Sequence, residues 1–352
     1  MPVFENRAAL KVVRDIKGFF GADAAHNGAS GSSGARVRKL EQAGRRVARK
    51  GRELRARLRR PGGEEAGGIR PENVVWIFGS ARTGSTWLAS MMEELKGQTV
   101  WREPLVGALF GNLYYDRAKH LIGKTGRHYI LGDGYRKSWM GSIRTFVLNE
   151  ATGRFPEAVG PDNYLVVKEP NGSAGAPLLM EALPESSMIL LVRDPRDVAA
   201  SSMDAKRKGG WQYENRNKGE LNPETRAEKN PKAFVRKRAK SYLQAIESTR
   251  KAYDLHKGRK VLVRYEDLRA DALGTMRRIY STLGIEVDEG ELRRAVEKHS
   301  WERIPEEEKG EGKFYRKASP GSWREDLTPE QVEVVERITA PLLKEFYPNG
   351  TS

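Results

Sequence analysis

Short runs of apolar residues alternate with longer amphipathic segments over most of this chain. The runs occupy residues 73–78, 164–167, 188–192 and 261–263, and most of their side chains are aliphatic or β-branched. Apolar runs of this length without alternating polar positions are typical of strands buried on both faces of a parallel sheet. We therefore predict four buried strands, and a further strand that ends just before Glu103.

Amphipathic segments between and after these runs predict helices over residues 84–96, 195–206, 231–256, 271–283 and 328–346. The last helix has a clear start signal in Thr328-Pro329-Glu330-Gln331. This signal combines an N-cap, a proline at the first helical position and a glutamine that completes a capping box. Strands that alternate with helices predict an α/β fold, a three-layer domain with a mostly parallel central sheet.

The first 70 residues follow a different pattern. Residues 21–35 are rich in Gly, Ala and Ser and predict a flexible linker. Residues 36–60 predict a basic helix, which ends at Pro61-Gly62-Gly63. We place the boundary near residue 70, which gives a flexible and basic helical N-terminal extension (1–70) and one folded domain (71–350).

Positive charge is concentrated in the predicted basic helix. The 352 residues carry a formal net charge of +16, and residues 36–60 hold twelve Lys or Arg against two Glu, hence +10. About +6 is then left for the rest of the chain. Three interpretations stay open for this segment: contact with anionic lipid, nonspecific binding of nucleic acid, and packing against the domain or a second subunit of a homodimer.

The absence of cysteine limits both the chemistry and the location. The sequence contains no Cys, which excludes disulfides, thiolate zinc sites and cysteine nucleophiles and fits a reducing cytoplasm. No apolar run reaches the roughly 18 residues of a membrane span, and charged residues interrupt the first 20 positions. We expect a cytoplasmic protein, associated with a membrane if residues 36–60 bind lipid.

A glycine-bounded loop follows the first predicted strand and indicates an anion site. Gly79 and Gly84 have the spacing of the phosphate loop G-x-x-x-x-G-K-[ST], but Ser85 stands where that loop has its Lys. The positive charge lies inside the loop instead, at Arg82. This arrangement disfavours β- and γ-phosphates with Mg²⁺ and suits a single 5′-phosphate held by Arg82, Thr83, Ser85 and Thr86. A glycine turn without a ligand is the alternative.

The segment Ala81-Arg82-Thr83-Gly84-Ser85-Thr86-Trp87-Leu88 resembles the 5′-phosphosulfate loop P-K-S-G-T-T-W-L of the PAPS-dependent sulfotransferases. Arg82 takes the place of the loop lysine, as in the bacterial and carbohydrate branches. The resemblance implies a P-loop-like fold and 3′-phosphoadenosine 5′-phosphosulfate (PAPS) as co-substrate, with adenosine 3′,5′-bisphosphate (PAP) as product. It also implies that Gly84 belongs to the binding loop and that Trp87 lies against the adenine.

A second strand–turn–helix segment extends the resemblance. Arg193 ends an apolar run and Ser201 follows eight residues later, which matches the residues that hold the 3′-phosphate of PAPS in the family. Weaker matches imply that Tyr265 and Ser300 border the adenine and that Arg316 and Lys317 close over the 3′-phosphate. The late segment departs from the family pattern at Ala318, where Gly is usual.

The family reaction needs a base and cations but no metal. The resemblance implies Arg82 and Lys168 as the cations. Pro170 stands where the cytosolic branch has its catalytic His, so we predict Glu103 as the base, with its pKa raised by burial near Trp101. A surface pair of Glu103 with the adjacent Arg102 is the alternative. The reserve bases are Glu169, His120 and His128.

These observations predict transfer of a sulfuryl group from PAPS to an acceptor hydroxyl of a carbohydrate, a glycolipid, another lipid-linked molecule or a small alcohol. We expect residues 105–160 and 202–230 to form the acceptor pocket. The aromatic cluster within 105–160 either stacks on a sugar ring or belongs to the core. A P-loop kinase-like phosphotransferase and a non-catalytic membrane or nucleic-acid adaptor remain the alternatives; no specific nucleic-acid binding is expected. The aromatic cluster consists of Tyr114, Tyr115, Tyr129, Tyr135 and Trp139.

Overall fold

The protein is described by a computed structural model that covers residues 67–117, 128–216 and 226–348. The predicted linker, the predicted basic helix 36–60 and His120 lie outside the described residues. The predictions made for them are therefore not tested by the structure.

Five parallel strands form the central sheet. They are β1 (Val74–Phe78), β2 (Gln98–Arg102), β3 (Tyr164–Lys168), β4 (Ser187–Val192) and β5 (Lys260–Arg264). Their spatial order is β2-β3-β1-β4-β5. All five lie within about a residue of a predicted apolar run or, for β2, directly before Glu103 as expected. The prediction of a three-layer α/β domain with a parallel sheet is confirmed.

Strand β1 shows why the domain has three layers. Val74, Trp76 and Phe78 point into the core on one side of the sheet. Val75 and Ile77 point into the core on the other side. All five side chains are fully buried, so helices must cover both faces.

The described helices include the five predicted from the sequence, with ends that differ by up to three residues. The helices are α1 (Ser85–Glu93), α2 (Val106–Gly111), α3 (Arg136–Arg154), α4 (Ala176–Ala182), α5 (Pro195–Lys206), α6 (Trp211–Arg216), α7 (Arg226–Lys229), α8 (Pro231–Leu255), α9 (Tyr265–Ala270), α10 (Ala272–Leu283), α11 (Glu289–Lys298), α12 (Trp323–Asp326) and α13 (Pro329–Phe346). The capping box predicted at Thr328 and Gln331 opens α13. None of the helices in the described ranges is both long enough and apolar enough to span a membrane.

The strand order determines where a ligand can bind. The chain runs from β1 outward to β2 and back to β3 on one side of β1, and then crosses to β4 on the other side. In open α/β sheets, ligands bind beyond the carboxyl ends of the strands at such a switch point. Three predicted site segments begin there: the loop from Gly79 after β1, Lys168 at the end of β3 and Arg193 after β4.

Candidate active site

A cavity of about 570 Å³ lies at the carboxyl ends of the strands. Most of the predicted site residues line it: Arg82, Gly84, Ser85, Thr86, Trp87, Glu103, Arg193, Ser201, Tyr265, Arg316 and Lys317. Three other predicted residues lie just behind the wall. Thr83 is buried in the first loop, Lys168 reaches two lining residues with its ammonium group, and Ser300 lies between His299 and Trp301, which both line the cavity.

The first loop is too tightly packed to tolerate larger residues at its glycines. Gly84 has a φ of 90° and directly precedes α1. A Cβ atom there would lie 2.5 Å from the ring of Tyr265, and one at Gly79 would lie 2.4 Å from the carbonyl oxygen of Leu191. The hydroxyl of Thr83 donates to the carbonyl of Ser80 at 2.7 Å and closes the turn. The loop therefore presents the first N–H groups of α1 to the cavity, as an anion cradle requires.

Arg82 joins the two predicted phosphate sites. Its Nε donates to the hydroxyl of Ser201 at 3.0 Å, and its Nη2 donates to the carbonyl of Phe314 at 3.3 Å. The guanidinium lies 5.4 Å from the ring of Trp211 and 5.3 Å from that of Phe314. Burial and the nearby Arg193 and Arg316 lower the pKa of Arg82 to about 10. The side chain keeps its charge at neutral pH, in surroundings that an anion would stabilise.

Arg193 is buried against the same loop. Its Nη1 donates to the carbonyl of Arg82 at 3.1 Å, and its guanidinium lies 4.2 Å from the ring of Tyr265. The backbone N–H of Arg193 donates to the hydroxyl of Tyr242 at 3.2 Å, and that hydroxyl donates to the Arg193 carbonyl. Only 8% of Arg193 is exposed, yet its Nε has no hydrogen-bond partner within the described part of the chain. A buried donor without an acceptor is costly, so a bound anion would suit this position.

Arg238 on α8 is a cavity residue that the sequence analysis did not identify. Its Nη2 donates to the carbonyl of Ala81 at 2.6 Å and to the hydroxyl of Ser80 at 3.0 Å, and its Nε donates to Ser202 at 2.9 Å. Burial lowers the pKa of Arg238 to about 10. The sequence alone does not single out Arg238, because α8 carries several basic residues. Only the fold distinguishes Arg238, at the cavity, from the exposed ones.

Aromatic residues form the wall expected for adenine. The indole Nε1 of Trp87 donates to the carbonyl of His299 at 2.7 Å. The ring of Trp87 meets that of Tyr265 edge to face, with centroids 6.2 Å apart. Trp301 completes this side of the cavity. The wall offers flat apolar faces to a base, with the predicted phosphate residues at its border.

The late loop reaches the cavity with Arg316 and Lys317, which both have carboxylate partners. Arg316 donates to Asp326 at 2.6 Å, and Lys317 donates to Asp326 at 3.1 Å and to Glu325 at 2.8 Å. The next residue, Ala318, has a φ of 48°. This left-handed conformation favours glycine, which is the usual residue at this position in the family that the late loop resembles.

The buried carboxylate of Asp197 on α5 anchors the segment that follows the late loop. It accepts hydrogen bonds from the backbone N–H of Gly321 at 2.8 Å and of Trp323 at 3.1 Å. The late loop is thereby tied to the helix that also carries Ser201.

Lys168 and Glu103 meet beside the first phosphate loop. Lys168 is only 4% exposed; its ammonium group donates to the hydroxyl of Thr86 at 3.3 Å and to the carboxylate of Glu103. The second carboxylate oxygen of Glu103 accepts from the amide of Asn171 at 2.6 Å. A cation, a hydroxyl and a carboxylate therefore stand together beside the first phosphate loop.

The expected burial of Glu103 was wrong, and the alternative pair with Arg102 does not form. Its side chain is 39% exposed, so it is not buried near Trp101. Arg102 is not its partner either, because the Arg102 guanidinium makes two hydrogen bonds of 2.6 Å to Glu93. Glu103 has a φ of 50°, which breaks the alternation of β2 and turns its side chain toward Lys168 rather than along the sheet.

Neither of the two described reserve bases, Glu169 and His128, lines the cavity. Glu169 is fully buried, and its carboxylate accepts from the backbone N–H of Leu105 at 3.0 Å and of Gly107 at 3.1 Å. Burial raises the pKa of Glu169 to about 7. His128 is exposed and lies outside the cavity wall.

The acceptor region was only partly predicted. Of the described residues 105–160, Leu105 alone lines the cavity, and Tyr114 and Trp139 of the aromatic cluster are buried in the core. For those two residues the structure shows the alternative, a place in the core. From 202–230, Lys206, Trp211 and Gln212 do line the cavity.

The chain is similar in sequence to one protein family and in structure to several solved proteins. The family described as "Sulfotransferase domain" matches residues 72–347. No curated protein sequence matches the chain. Among solved structures, a mouse sulfotransferase complexed with PAP is 16% identical (TM-score 0.46; 78% of this chain and 85% of that chain covered). A sulfotransferase from Mycobacterium avium is 15% identical (TM-score 0.49; 79% and 78% covered), and one from Mycobacterium tuberculosis is 16% identical (TM-score 0.42; 78% of each covered).

The chain belongs to the sulfotransferase-domain family, because the match covers far more than half of it. The prediction of a PAPS-dependent sulfotransferase is confirmed. Among the side chains that the structure describes, no group of three or more His, Asp or Glu is arranged to hold a metal ion.

Proposed function

We propose that this cavity transfers the sulfuryl group of PAPS to an acceptor hydroxyl without a metal ion, with Glu103 as base and Lys168 as the cation at the reacting end. One observation carries the proposal. A single cavity is lined by Thr86 and Glu103, which the buried Lys168 contacts, and also by Arg193 and Ser201.

The residues present fit a nucleotide with a 3′-phosphate. Arg82 donates to the hydroxyl of Ser201, Arg193 donates to the carbonyl of Arg82, and the Nε of Arg193 is left without a partner among the described residues. Trp87 and Tyr265 supply the aromatic faces for a base. Ser85 and Thr86, at the start of α1, supply backbone and hydroxyl donors for the 5′-phosphosulfate.

Glu103 is suited to take the proton of the acceptor hydroxyl. Its carboxylate lies at the cavity wall and stays accessible, while Asn171 and Lys168 fix its orientation. A base that is held by hydrogen bonds and still exposed to the cavity can approach an incoming hydroxyl with little reorganisation. Glu103 therefore holds the proton at a carboxylate oxygen once the acceptor has lost it.

Lys168 and Thr86 are suited to stabilise the charge that develops on the departing phosphate. PAPS supplies the sulfuryl group and leaves as PAP, whose 5′-phosphate gains negative charge during the reaction. The ammonium group of Lys168 is almost fully buried and already directed at the Thr86 hydroxyl. Preorganised donors in a site shielded from water stabilise such charge more than solvent does. Metal-independent transfer follows because fixed cations supply the charge.

For the acceptor, we propose a hydroxyl of a carbohydrate, a glycolipid or another small alcohol. The cavity wall combines apolar side chains with amide groups, namely Leu105, Pro170, Trp211 and Ile304 with Asn171 and Gln212. Such a mixture suits a molecule with both apolar faces and hydroxyl groups.

The sequence also supports proposals about residues 1–70, which we treat as an extension of the catalytic domain. We propose that the enzyme is cytoplasmic and that residues 36–60 attach it peripherally to anionic membranes, which would suit a lipid-linked acceptor. Sedimentation with vesicles containing 30% phosphatidylserine tests this. Loss of cosedimentation in a chain lacking residues 1–66 supports the proposal, and undiminished cosedimentation contradicts it.

A thermal-shift titration in EDTA tests the donor site. PAP, 5′-AMP and, in a separate buffer, Mg²⁺-ATP are compared, and a ligand at 100 times its Kd should add about 2.7 kcal/mol of stability. The largest shift with PAP, reduced to that of 5′-AMP by Arg193→Ala, supports the proposal. A larger shift with Mg²⁺-ATP favours a kinase-like phosphotransferase. No shift with any ligand favours a non-catalytic adaptor.

A further inference from the structure

The buried carboxylate of Glu169 takes no part in the proposed reaction, although it follows directly after Lys168 at the end of β3. It is fully buried, and both of its described hydrogen bonds come from neutral backbone groups, the N–H of Leu105 at 3.0 Å and that of Gly107 at 3.1 Å. A carboxylate in such surroundings costs more stability than an apolar side chain of similar size. Its presence therefore indicates a role other than packing.

The two N–H groups belong to the start of α2. Leu105 is the N-cap residue of this helix, with a φ of 60° and no side-chain hydrogen bond to cap it. In most helices a Ser, Thr, Asp or Asn at this position accepts from the first free N–H groups. Glu169 supplies the missing acceptor from the end of β3. The start of α2 is therefore held by a residue 62 positions after Gly107.

The proposed base lies two residues before Leu105, in the turn that leads into α2. Glu103 and Leu105 both have a positive φ, 50° and 60°, which is unfavourable for residues that carry a Cβ atom. Such a backbone persists only where its surroundings hold it. The N–H of Glu103 donates to the carbonyl of Lys168 at 2.8 Å and fixes the beginning of the turn. The Glu169 carboxylate fixes its end at Leu105 and Gly107.

Close packing leaves the Glu169 carboxylate little freedom. A Cβ atom at Gly172 would overlap this carboxylate, and one at Gly107 would overlap the carbonyl of Gly172. Asn171, from the same segment as Glu169 and Gly172, donates to the carboxylate of Glu103 at 2.6 Å. The segment that holds the turn therefore also orients the side chain of Glu103, and a shift of the turn against this segment would separate Glu103 from Asn171.

We propose that Glu169 is a positioning residue for the base: by capping α2 from the end of β3, it holds Glu103 in the orientation that the reaction needs. Glu169 does not line the cavity, so it acts through Glu103 and not by contact with donor or acceptor. This assignment deepens the proposed function and rests on it, because it needs Glu103 as the base.

Transfer to water measures the effect without an identified acceptor. In this reaction a water oxygen bonds to sulfur as the bond from sulfur to the 5′-phosphate oxygen breaks, so that PAPS gives sulfate and PAP while Glu103 takes a proton from the water. Glu169→Gln keeps the shape of the side chain but can accept from only one of the two N–H groups. At pH 8.0 we expect its kcat for sulfate release to fall about 10- to 100-fold, because the base is misplaced. The Kd for PAP should stay within about 3-fold of wild type, since the change affects turnover and not donor binding.

A double-mutant cycle separates positioning from a general structural effect. If Glu169 acts only through Glu103, adding Glu169→Gln to Glu103→Gln should lower the rate further by less than about 3-fold. Asp271→Ala is the control, because Asp271 caps α10 outside the cavity by accepting from the N–H of Gly274 at 2.8 Å. This variant should lose stability and keep kcat within about 2-fold of wild type. Losses that multiply in the cycle, or an unchanged kcat in folded Glu169→Gln, overturn the proposal.

The side-chain amide of Asn171 gives a readout that does not depend on turnover. Its NMR signals, assigned by their loss in Asn171→Ala, report the contact with the Glu103 carboxylate. Glu169→Gln should shift these signals in the direction in which Glu103→Gln shifts them, and Asp271→Ala should leave them in place. Unshifted signals in folded Glu169→Gln overturn the proposal. If Glu103→Gln keeps more than about a tenth of the wild-type rate, the proposed function itself fails, because another group is then the base.

Discussion

The ammonium group of Lys168 and the carboxylate of Glu103 form an ion pair across the ends of two neighbouring strands. Arg102 of β2 is in register with Lys168 of β3, and the backbone N–H of Glu103 donates to the Lys168 carbonyl at 2.8 Å. The sheet itself therefore sets the distance between the two side chains. A base and a cation fixed in this way need little rearrangement before proton transfer and charge stabilisation.

Glu103→Gln should abolish most of the turnover and leave donor binding intact. The amide cannot accept the acceptor proton, so we expect kcat to fall about 100- to 10,000-fold, as for the loss of a general base. The Kd for PAP should change less than about 3-fold. Steady-state kinetics and titration calorimetry measure both.

Glu93→Gln is the matched control for this prediction. It removes a carboxylate of the same type, which pairs with Arg102, the residue before Glu103. Glu93 lies outside the cavity wall. We expect its kcat within about 2-fold of wild type. A kcat for Glu103→Gln above about a tenth of wild type would assign the base to another group.

Much of the fold could be predicted because its signals are local. Strands β1, β3, β4 and β5 are continuous apolar runs, and α13 opens with a capping box that is visible in four residues. The role of Arg238 could not be predicted, since its contacts with Ser80 and Ala81 join positions more than 150 residues apart. The burial of Tyr114 and of Trp139 on α3 likewise depends on how α3 packs against its neighbours, which the local pattern does not specify.

Removal of the Arg238 guanidinium should weaken nucleotide binding. Arg238 holds the Ala81 carbonyl and the Ser80 hydroxyl, and so it fixes the loop residues just before Arg82. We expect Arg238→Met to raise the Kd for PAP about 10-fold or more, because a buried charge-assisted contact and the loop geometry are both lost. Titration calorimetry measures the change.

Lys240→Met on the same helix gives the comparison, because Lys240 is exposed and lies outside the cavity. Its Kd for PAP should stay within about 2-fold of wild type. Equal effects of the two substitutions would mean that Arg238 acts only through the overall charge of α8.

Glu169 should make folding stability depend on pH. Burial raises its pKa to about 7 from 4.5, and the nearby Glu103 and Lys168 act in opposite directions. Between these values the folded state binds more protons than the unfolded state, so this group lowers stability as pH rises. The loss is at most about 3 kcal/mol, from 1.36 kcal/mol per pKa unit.

The Glu169→Gln variant isolates this effect. The free energy of unfolding is measured in urea for the variant and for wild type, each at pH 5.0 and at pH 7.5. Between these pH values it should fall less in the variant than in wild type. Its amide oxygen can accept from only one of the Leu105 and Gly107 N–H groups, so the variant is less stable than wild type at pH 5.0. Parallel profiles for the two proteins would show that Glu169 does not titrate in this range.

Ala318 adopts a backbone conformation that suits glycine better, and this makes the late loop a site where a substitution should stabilise the protein. Its φ of 48° costs about 1 kcal/mol for a residue with a Cβ, while glycine costs about 0.4–1 kcal/mol in unfolded-state entropy. Arg269 donates to the Ala318 carbonyl at 2.9 Å and keeps the loop in place in either case. We expect Ala318→Gly to raise the free energy of unfolding by up to about 0.5 kcal/mol, with PAP binding at least as tight as in wild type.

The control is Ala340→Gly, in the exposed middle of α13, which should lower the free energy of unfolding by about 1 kcal/mol. A destabilisation of similar size in both variants would mean that the left-handed conformation at Ala318 carries no strain.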